Sequence, residues 1–252
     1  MTLLTLLIAT ALAVLGAVLA SFVGVIVERI NTGATWANDR SRCDACARTL
    51  TIRDLLPVLS WLVARGMCRT CGARIPVRHA VVEALTALAF VSAYSVVGLS
   101  VSLLFMCAAL LVLLFIVLYD MRHTIVSMRA VLIFTALALS YRLWVTPELI
   151  GLSMLVGGCA GSVFLLFHLI SRGRAMGLGD APVVLGLSLL VGPLAVLPGV
   201  LFSFWIGAIY GIGVLVTTPR GHRMGIEVPF VPFLALGFLL AYFSGWNPLP
   251  LF

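Results

Sequence analysis

Eight apolar runs, at about 3–27, 80–98, 101–119, 130–146, 149–170, 181–193, 197–217 and 230–245, constrain this chain more than any motif in it. Lipid offers no hydrogen bonds, so runs of this length must close their backbone polar groups within helices. The sequence therefore predicts an all-α, polytopic membrane protein with about eight transmembrane helices. The balance of residue types agrees: 62% are hydrophobic and 10% charged, against about 25% charged in soluble domains. Residues 181–193 would reach only about 20 Å at 1.5 Å per residue, so this span is expected to be buried among other helices. Gly192-Pro193 and Pro198-Gly199 are expected to mark the turn that follows it.

Charge orients the bundle. All 16 basic residues are Arg, and 15 of them lie in alternate connections: nine between spans one and two, then Arg122 and Arg129, Arg172 and Arg174, and Arg220 and Arg223. Only Arg142 is left near the other face. The positive-inside rule makes the arginine face cytoplasmic and puts both termini outside. The net charge of +7 thus reads as topology and as affinity for lipid headgroups, with no nucleic-acid partner implied. Residues 1–27 are expected to be a retained first span, because nothing basic precedes them and the arginine cluster follows.

The polar stretch 28–79 carries Cys43-Asp44-Ala45-Cys46 and Cys68-Arg69-Thr70-Cys71-Gly72. Two C-x2-C pairs at this separation can place four thiolates around one ion. In a reducing compartment the pattern points to a small structural zinc-binding loop domain rather than disulfides. A stretch of about 50 residues has little core of its own, so metal would supply much of its folding free energy. The organisation expected is a first helix (1–27), the loop domain (28–79) and a seven-helix part (80–252). Cys107 and Cys159 fall inside apolar spans and are expected to be ordinary buried small residues.

Two carboxylates stand at the ends of apolar runs. Asp120 follows Leu111–Tyr119, and Asp180 closes Gly177-Leu178-Gly179-Asp180. An acid at the edge of the bilayer core is costly, and two on the same face suggest a shared acid/base site. Asp180 also reads as the N-cap of the next helix, with Pro182 in its first turn. The helix macrodipole disfavours an anion at Asp120 and favours one at Asp180, so Asp180 is the expected resting base and Asp120 the resting acid. Gly177 and Gly179 are expected to let an extended substrate approach Asp180. Glu83, His79, His123 and His168 read as structural or interfacial.

Taken together, the double C-x2-C loop, Asp54-Leu55-Leu56-Pro57-Val58-Leu59-Ser60-Trp61, the Gly-x-Gly-Asp string and Pro229-Phe230-Val231-Pro232-Phe233-Leu234 resemble type IV prepilin leader peptidases. Ala20-Ser21-Phe22-Val23-Gly24-Val25 is similar to that family's opening motif. The resemblance implies an aspartic endopeptidase of the GxGD type in the bacterial inner membrane. Its substrates would be prepilins or type II secretion pseudopilins, cut at the cytoplasmic face between a short basic leader and the apolar helix behind it. Asp120 and Asp180 match the catalytic pair, and Cys43, Cys46, Cys68 and Cys71 match the zinc ligands. Members with this loop commonly also methylate the new N-terminus with S-adenosylmethionine, although no nucleotide cradle is recognisable here. The chain departs from the family at Gly24, where Asn is usual, at Ile125-Val126-Ser127, where Ile-Pro-Asp is usual, and at Ala181-Pro182, where Val-Lys follows. Readings of another class are a catalytically inactive pilus-assembly scaffold and a proton-coupled transporter. Against the transporter, both acids sit at the inner edge and the halves show no repeat.

Overall fold

The computed structural model describes residues 3–30, 40–174, 176–217 and 228–246. Arg220 and Arg223, two of the orienting arginines, lie outside them, as do both extreme ends of the chain. Nine α-helices form among the described residues: α1 (Leu3–Arg29), α2 (Leu59–Val63), α3 (Val77–Val97), α4 (Val101–His123), α5 (Met128–Val145), α6 (Ile150–Ser171), α7 (Asp180–Val191), α8 (Pro193–Thr217) and α9 (Val231–Ser244). Six helical segments are long and apolar enough to cross a membrane; α7 and α9 are apolar but shorter. The eight predicted runs therefore all appear as helices. The chain divides into two compact units, Met1–Gly98 and Leu99–Phe252.

In the first unit α1 packs along α3, and Gly16 permits the approach, since a Cβ there would lie 3.1 Å from the Phe90 ring and from the Thr86 carbonyl oxygen. Between these helices the chain folds into two turns of the same pattern. In the first, the Ala47 N–H donates to the Cys43 carbonyl and the Cys43 N–H to the Arg48 carbonyl; in the second, Gly72 donates to Cys68 and Cys68 to Ala73. The residue after each pair has positive φ, 55° at Ala47 and 71° at Gly72, the backbone such a tight turn requires. Asp54 ties the two turns together. Its carboxylate accepts from Arg48 at 2.8 Å and lies 3.5 Å from Arg69. The Thr51 N–H it accepts, reinforced by the Thr51 hydroxyl and by both arginines, holds it below the usual carboxylate range. Glu83 on α3 accepts the Val58 N–H at 2.8 Å, so the Asp54–Trp61 string is held at its start and in its middle.

In the second unit α7 is the central element, packed against α5, α6, α8 and α9. Val183, Val184, Leu187, Leu189 and Leu190 are fully buried, which is how a helix of 12 residues, about 18 Å long, avoids exposing its ends to lipid. The turn after it is tighter than the sequence suggests. Gly192, at φ 88°, makes the whole break. α8 starts at Pro193 and carries Pro198 within it, where the missing N–H removes the intrahelical bond to the Leu194 carbonyl. Cys159 is exposed and Cys107 half-buried, so the expectation of two buried thiols fails. On α6, Cys159 faces outward, where lipid accepts a small apolar group as readily as a core does.

Arg142, read from sequence only as the odd charge on the far face, is 5% exposed. Its Nε donates to the Leu189 carbonyl at 3.0 Å, one Nη to the Leu190 carbonyl at 2.8 Å and the other to the Thr146 hydroxyl at 3.0 Å. The guanidinium therefore satisfies the orphan carbonyls at the C-terminus of α7, the end where positive charge is favoured. A Cβ on Gly192 would meet it at 2.8 Å. Arg142→Ala is expected to cost about 1–3 kcal/mol for each carbonyl left unpaired, read as a lower thermal unfolding midpoint in detergent. Arg142→Lys should recover part of the loss, because one ammonium cannot reproduce the fork.

Candidate active site and metal centre

The second unit brings Asp120 and Asp180 together. Both are buried, 5% and 4% exposed, and the two carboxylates act on each other electrostatically. Asp120 lies in the last turn of α4, which continues past it to His123 and ends on Thr124 in the left-handed region. Asp180 is the first residue of α7 rather than its N-cap; Gly179 holds the capping position. The Asp180 carboxylate instead reaches back one turn and accepts the Gly177 N–H at 3.0 Å.

A third element completes the site. The Val231 N–H, at the start of α9, donates to Asp120 Oδ2 at 3.3 Å. Asp120 thus lies at the unfavourable end of α4 but faces the favourable end of α9. This second dipole offsets the first, and the contrast expected between the two acids is smaller than α4 and α7 alone would make it. The signal was present in Pro229-Phe230-Val231-Pro232: a proline inside the first turn marks a helix start and leaves the neighbouring N–H groups free to meet an anion.

The two glycines differ in what surrounds them. A Cβ on Gly179 would sit 2.5 Å from the Val126 Cβ, whereas one on Gly177 would meet nothing closer than Asp180 Oδ2 at 3.5 Å. Neither has positive φ. Gly179 is therefore where the Gly-Asp turn presses against the α4–α5 turn, at Val126, one of the two residues that depart from Ile-Pro-Asp. Gly179→Ala is expected to destabilise the unit by about 1–3 kcal/mol through overpacking and to displace Asp180. Gly177→Ala should leave the thermal midpoint near that of the parent. Circular dichroism melts of the two variants side by side check the contrast.

The histidines are held locally. His168 Nδ1 pairs with the Met176 carbonyl at 2.9 Å, closing the loop before Asp180, and the ring interacts with that carboxylate. The His123 ring packs against Tyr119 at a tilt of 41°, with centroids 4.5 Å apart. His79 stays within 3.9 Å of Glu28 where α1 meets α3.

The metal-binding candidates converge in the first unit. The sulfurs of Cys43, Cys46, Cys68 and Cys71 all lie within 4.8 Å of one another, an arrangement that can hold a metal ion, with Cys43 and Cys71 3.8 Å apart. The turn backbone aims N–H groups at the sulfurs. Those of Cys71 and Thr70 pull the Cys68 thiol down to about 6, and those of Cys46 and Ala45 lower Cys43. Although the Ala73 N–H favours its thiolate, Cys71 is pushed up to about 11 by burial and by hydrogen bonds with the neighbouring sulfurs. Four thiolates this close repel one another unless a cation is shared.

Comparison with known proteins agrees with both halves. Residues 14–97 match the family model for the bacterial peptidase A24 N-terminal domain, and residues 106–212 match that of the type IV leader peptidase family. The Bacillus subtilis protein named prepilin leader peptidase/N-methyltransferase is 30% identical over 92% of this chain and 92% of its own length. A protein of the same name from Dichelobacter nodosus is 34% identical over 81% of this chain and 71% of its own. The Escherichia coli type 4 prepilin-like proteins leader peptide-processing enzyme is also 34% identical, over 79% and 73%. No solved structure matches. With two family models covering both units and a relative aligned almost end to end, the chain belongs to the type IV leader peptidase family.

Proposed function

We propose that this protein is an aspartic endopeptidase of the bacterial inner membrane that removes the short basic leader from type IV prepilins or pseudopilins at the cytoplasmic face. The observation that carries this reading is the pair Asp120 and Asp180, buried at the end of α4 and the start of α7 and acting on each other electrostatically, in a chain of this family. Peptide hydrolysis needs a water deprotonated for attack and a proton delivered to the carbonyl oxygen and then to the leaving amine. One carboxylate and one carboxylic acid do both. The Gly177 and Val231 N–H groups fix the orientation of each carboxyl. The α7 dipole favours the negative charge on Asp180 and α9 gives Asp120 partial compensation, so the resting proton belongs to the pair. Of the two glycines expected to admit substrate, Gly177 leaves an extended chain a low-profile approach to Asp180, whereas the open face of Gly179 is taken by Val126.

The metal centre is structural zinc, held by Cys43, Cys46, Cys68 and Cys71. A tetrahedron with Zn–S bonds of about 2.3 Å has edges of about 3.8 Å, which the Cys43–Cys71 separation of 3.8 Å matches. Four cysteines leave no place for a reactive water. The concentration of arginine in alternate connections supports an orientation with both chain ends outside and those connections, with the dyad, inside. The N-methyltransferase in the relatives' names supports a second activity, which on the family resemblance would methylate the new terminus with S-adenosylmethionine as donor; no residue of this chain is assigned to that transfer.

The test is mass spectrometry of a prepilin-like substrate incubated with the purified protein in lipid. Loss of the leader mass supports the peptidase, and a further methyl mass appearing only with S-adenosylmethionine supports the second activity. An intact substrate, with zinc bound and the protein folded, overturns the reading.

A further inference from the structure

The segment joining the metal-binding turns to α3 is unusually apolar for a polar loop. Ile52, Leu55, Leu56, Leu59, Leu62 and Val63 are all exposed, from 46% at Leu55 to 82% at Ile52. Half of twelve consecutive residues are thus large, apolar and uncovered, far denser than the scattered exposed side chains any surface shows. They are carried by two short helical pieces, Ile52–Asp54 and Leu59–Val63, and by the turn between them.

The depth of this segment is set by Glu83. It accepts the Val58 N–H at 2.8 Å and lies six residues into α3, about 9 Å from the Val77 end at 1.5 Å per residue. α3 is long and apolar enough to span, so backbone fastened this far along it lies at headgroup depth or just below. Val58 adopts φ 58°, strained for a β-branched residue, and the Glu83 bond holds it there. Trp61 turns its Nε1 inward to the Ile75 carbonyl at 3.1 Å, leaving an amphipathic ring of the kind favoured at membrane interfaces.

The charges fit one occupant. Arg53, Arg65 and Arg74 are exposed and have no carboxylate within ion-pair distance among the described residues. The one acid in the segment, Asp54, is neutralised by Arg48 and Arg69. An apolar stripe flanked by unpaired arginines complements an anionic bilayer face.

We propose that residues 52–63 form an interfacial membrane anchor, which lays its apolar side chains into the anionic headgroup layer and fastens the metal-binding turns to the bilayer surface. The proposal goes beyond the peptidase reading and is independent of it, needing only that α1 and α3 span.

The experiment places a photoreactive p-benzoylphenylalanine at Leu62 in the full chain. The protein is reconstituted in phosphatidylglycerol–phosphatidylcholine vesicles, illuminated and analysed for adduct masses. The same probe at Leu104, 70% exposed on α4, serves as the lipid-facing control. A lipid adduct at position 62 is expected, falling about tenfold or more when Leu56→Asp and Leu59→Asp are added, since two buried leucines are lost. An adduct to residues 99–252, to a second copy or to an added prepilin peptide would show a protein occupant and overturn the proposal. So would no adduct at position 62 while Leu104 labels lipid. If the Leu56 and Leu59 changes unfold the loop, hydrogen exchange of the unsubstituted chain decides: protection over 52–63 that is greater in vesicles than in detergent supports the anchor, and equal exchange overturns it.

Discussion

Asp180→Asn and Asp120→Asn are each expected to slow leader removal by about a hundred- to ten-thousandfold, the range that a positioned general acid or base contributes. Asparagine keeps the shape of the side chain and leaves an oxygen to accept the Gly177 or Val231 N–H, so the geometry should survive while the exchangeable proton does not. Both positions are buried, and a neutral amide costs less to bury than a carboxylate. The variants should therefore melt no lower than the parent, and removing the mutual repulsion can raise the midpoint, as is common where function keeps a site strained. The double variant should be scarcely slower than either single one, because members of a unit do not contribute additively. Initial rates by mass spectrometry, with thermal midpoints on the same preparations, check all three statements. A variant that melts low and cleaves poorly would indicate that the carboxylate holds the fold.

What the sequence made legible divides by the range of the physics involved. The apolar runs, the short α7 and the paired cysteine turns are local patterns, and each emerged close to its expected place. What escaped depends on contacts between distant segments. Arg142 read as a stray charge, since only the folded chain shows that it caps α7, 47 residues further on. Val231 lies 111 residues from the Asp120 carboxylate it supports, so its string resembles the family's in sequence without disclosing its role. Asp180 was assigned to the capping position, one residue outside its actual place, because Gly-Asp-Ala-Pro satisfies the local rule for either. The role of Gly179 was also invisible, because it depends on Val126 arriving from another helix pair.

Stripping the metal is the other change with a large expected effect. Residues 40–76 contain two short bridges, Arg42 with Thr49 and Met67 with Arg74, two single-turn helical pieces, and few buried side chains, Cys68 among them. Hydrophobic burial cannot hold such a stretch, and in domains of this kind metal binding is itself the folding free energy. One zinc per chain is therefore expected by elemental analysis, and Cys68→Ser or a strong chelator should abolish hydrogen-exchange protection across both turns. The second unit carries its own buried core around α7, so its protection should persist. Acid should act in the same direction as the chelator: protons compete with the metal for thiolate, so retention falls as pH is lowered. Zinc content of the unsubstituted chain measured against pH checks this, with protection across both turns expected to vanish at the same pH as the metal; protection that outlasts the metal would mean that the turns hold without it.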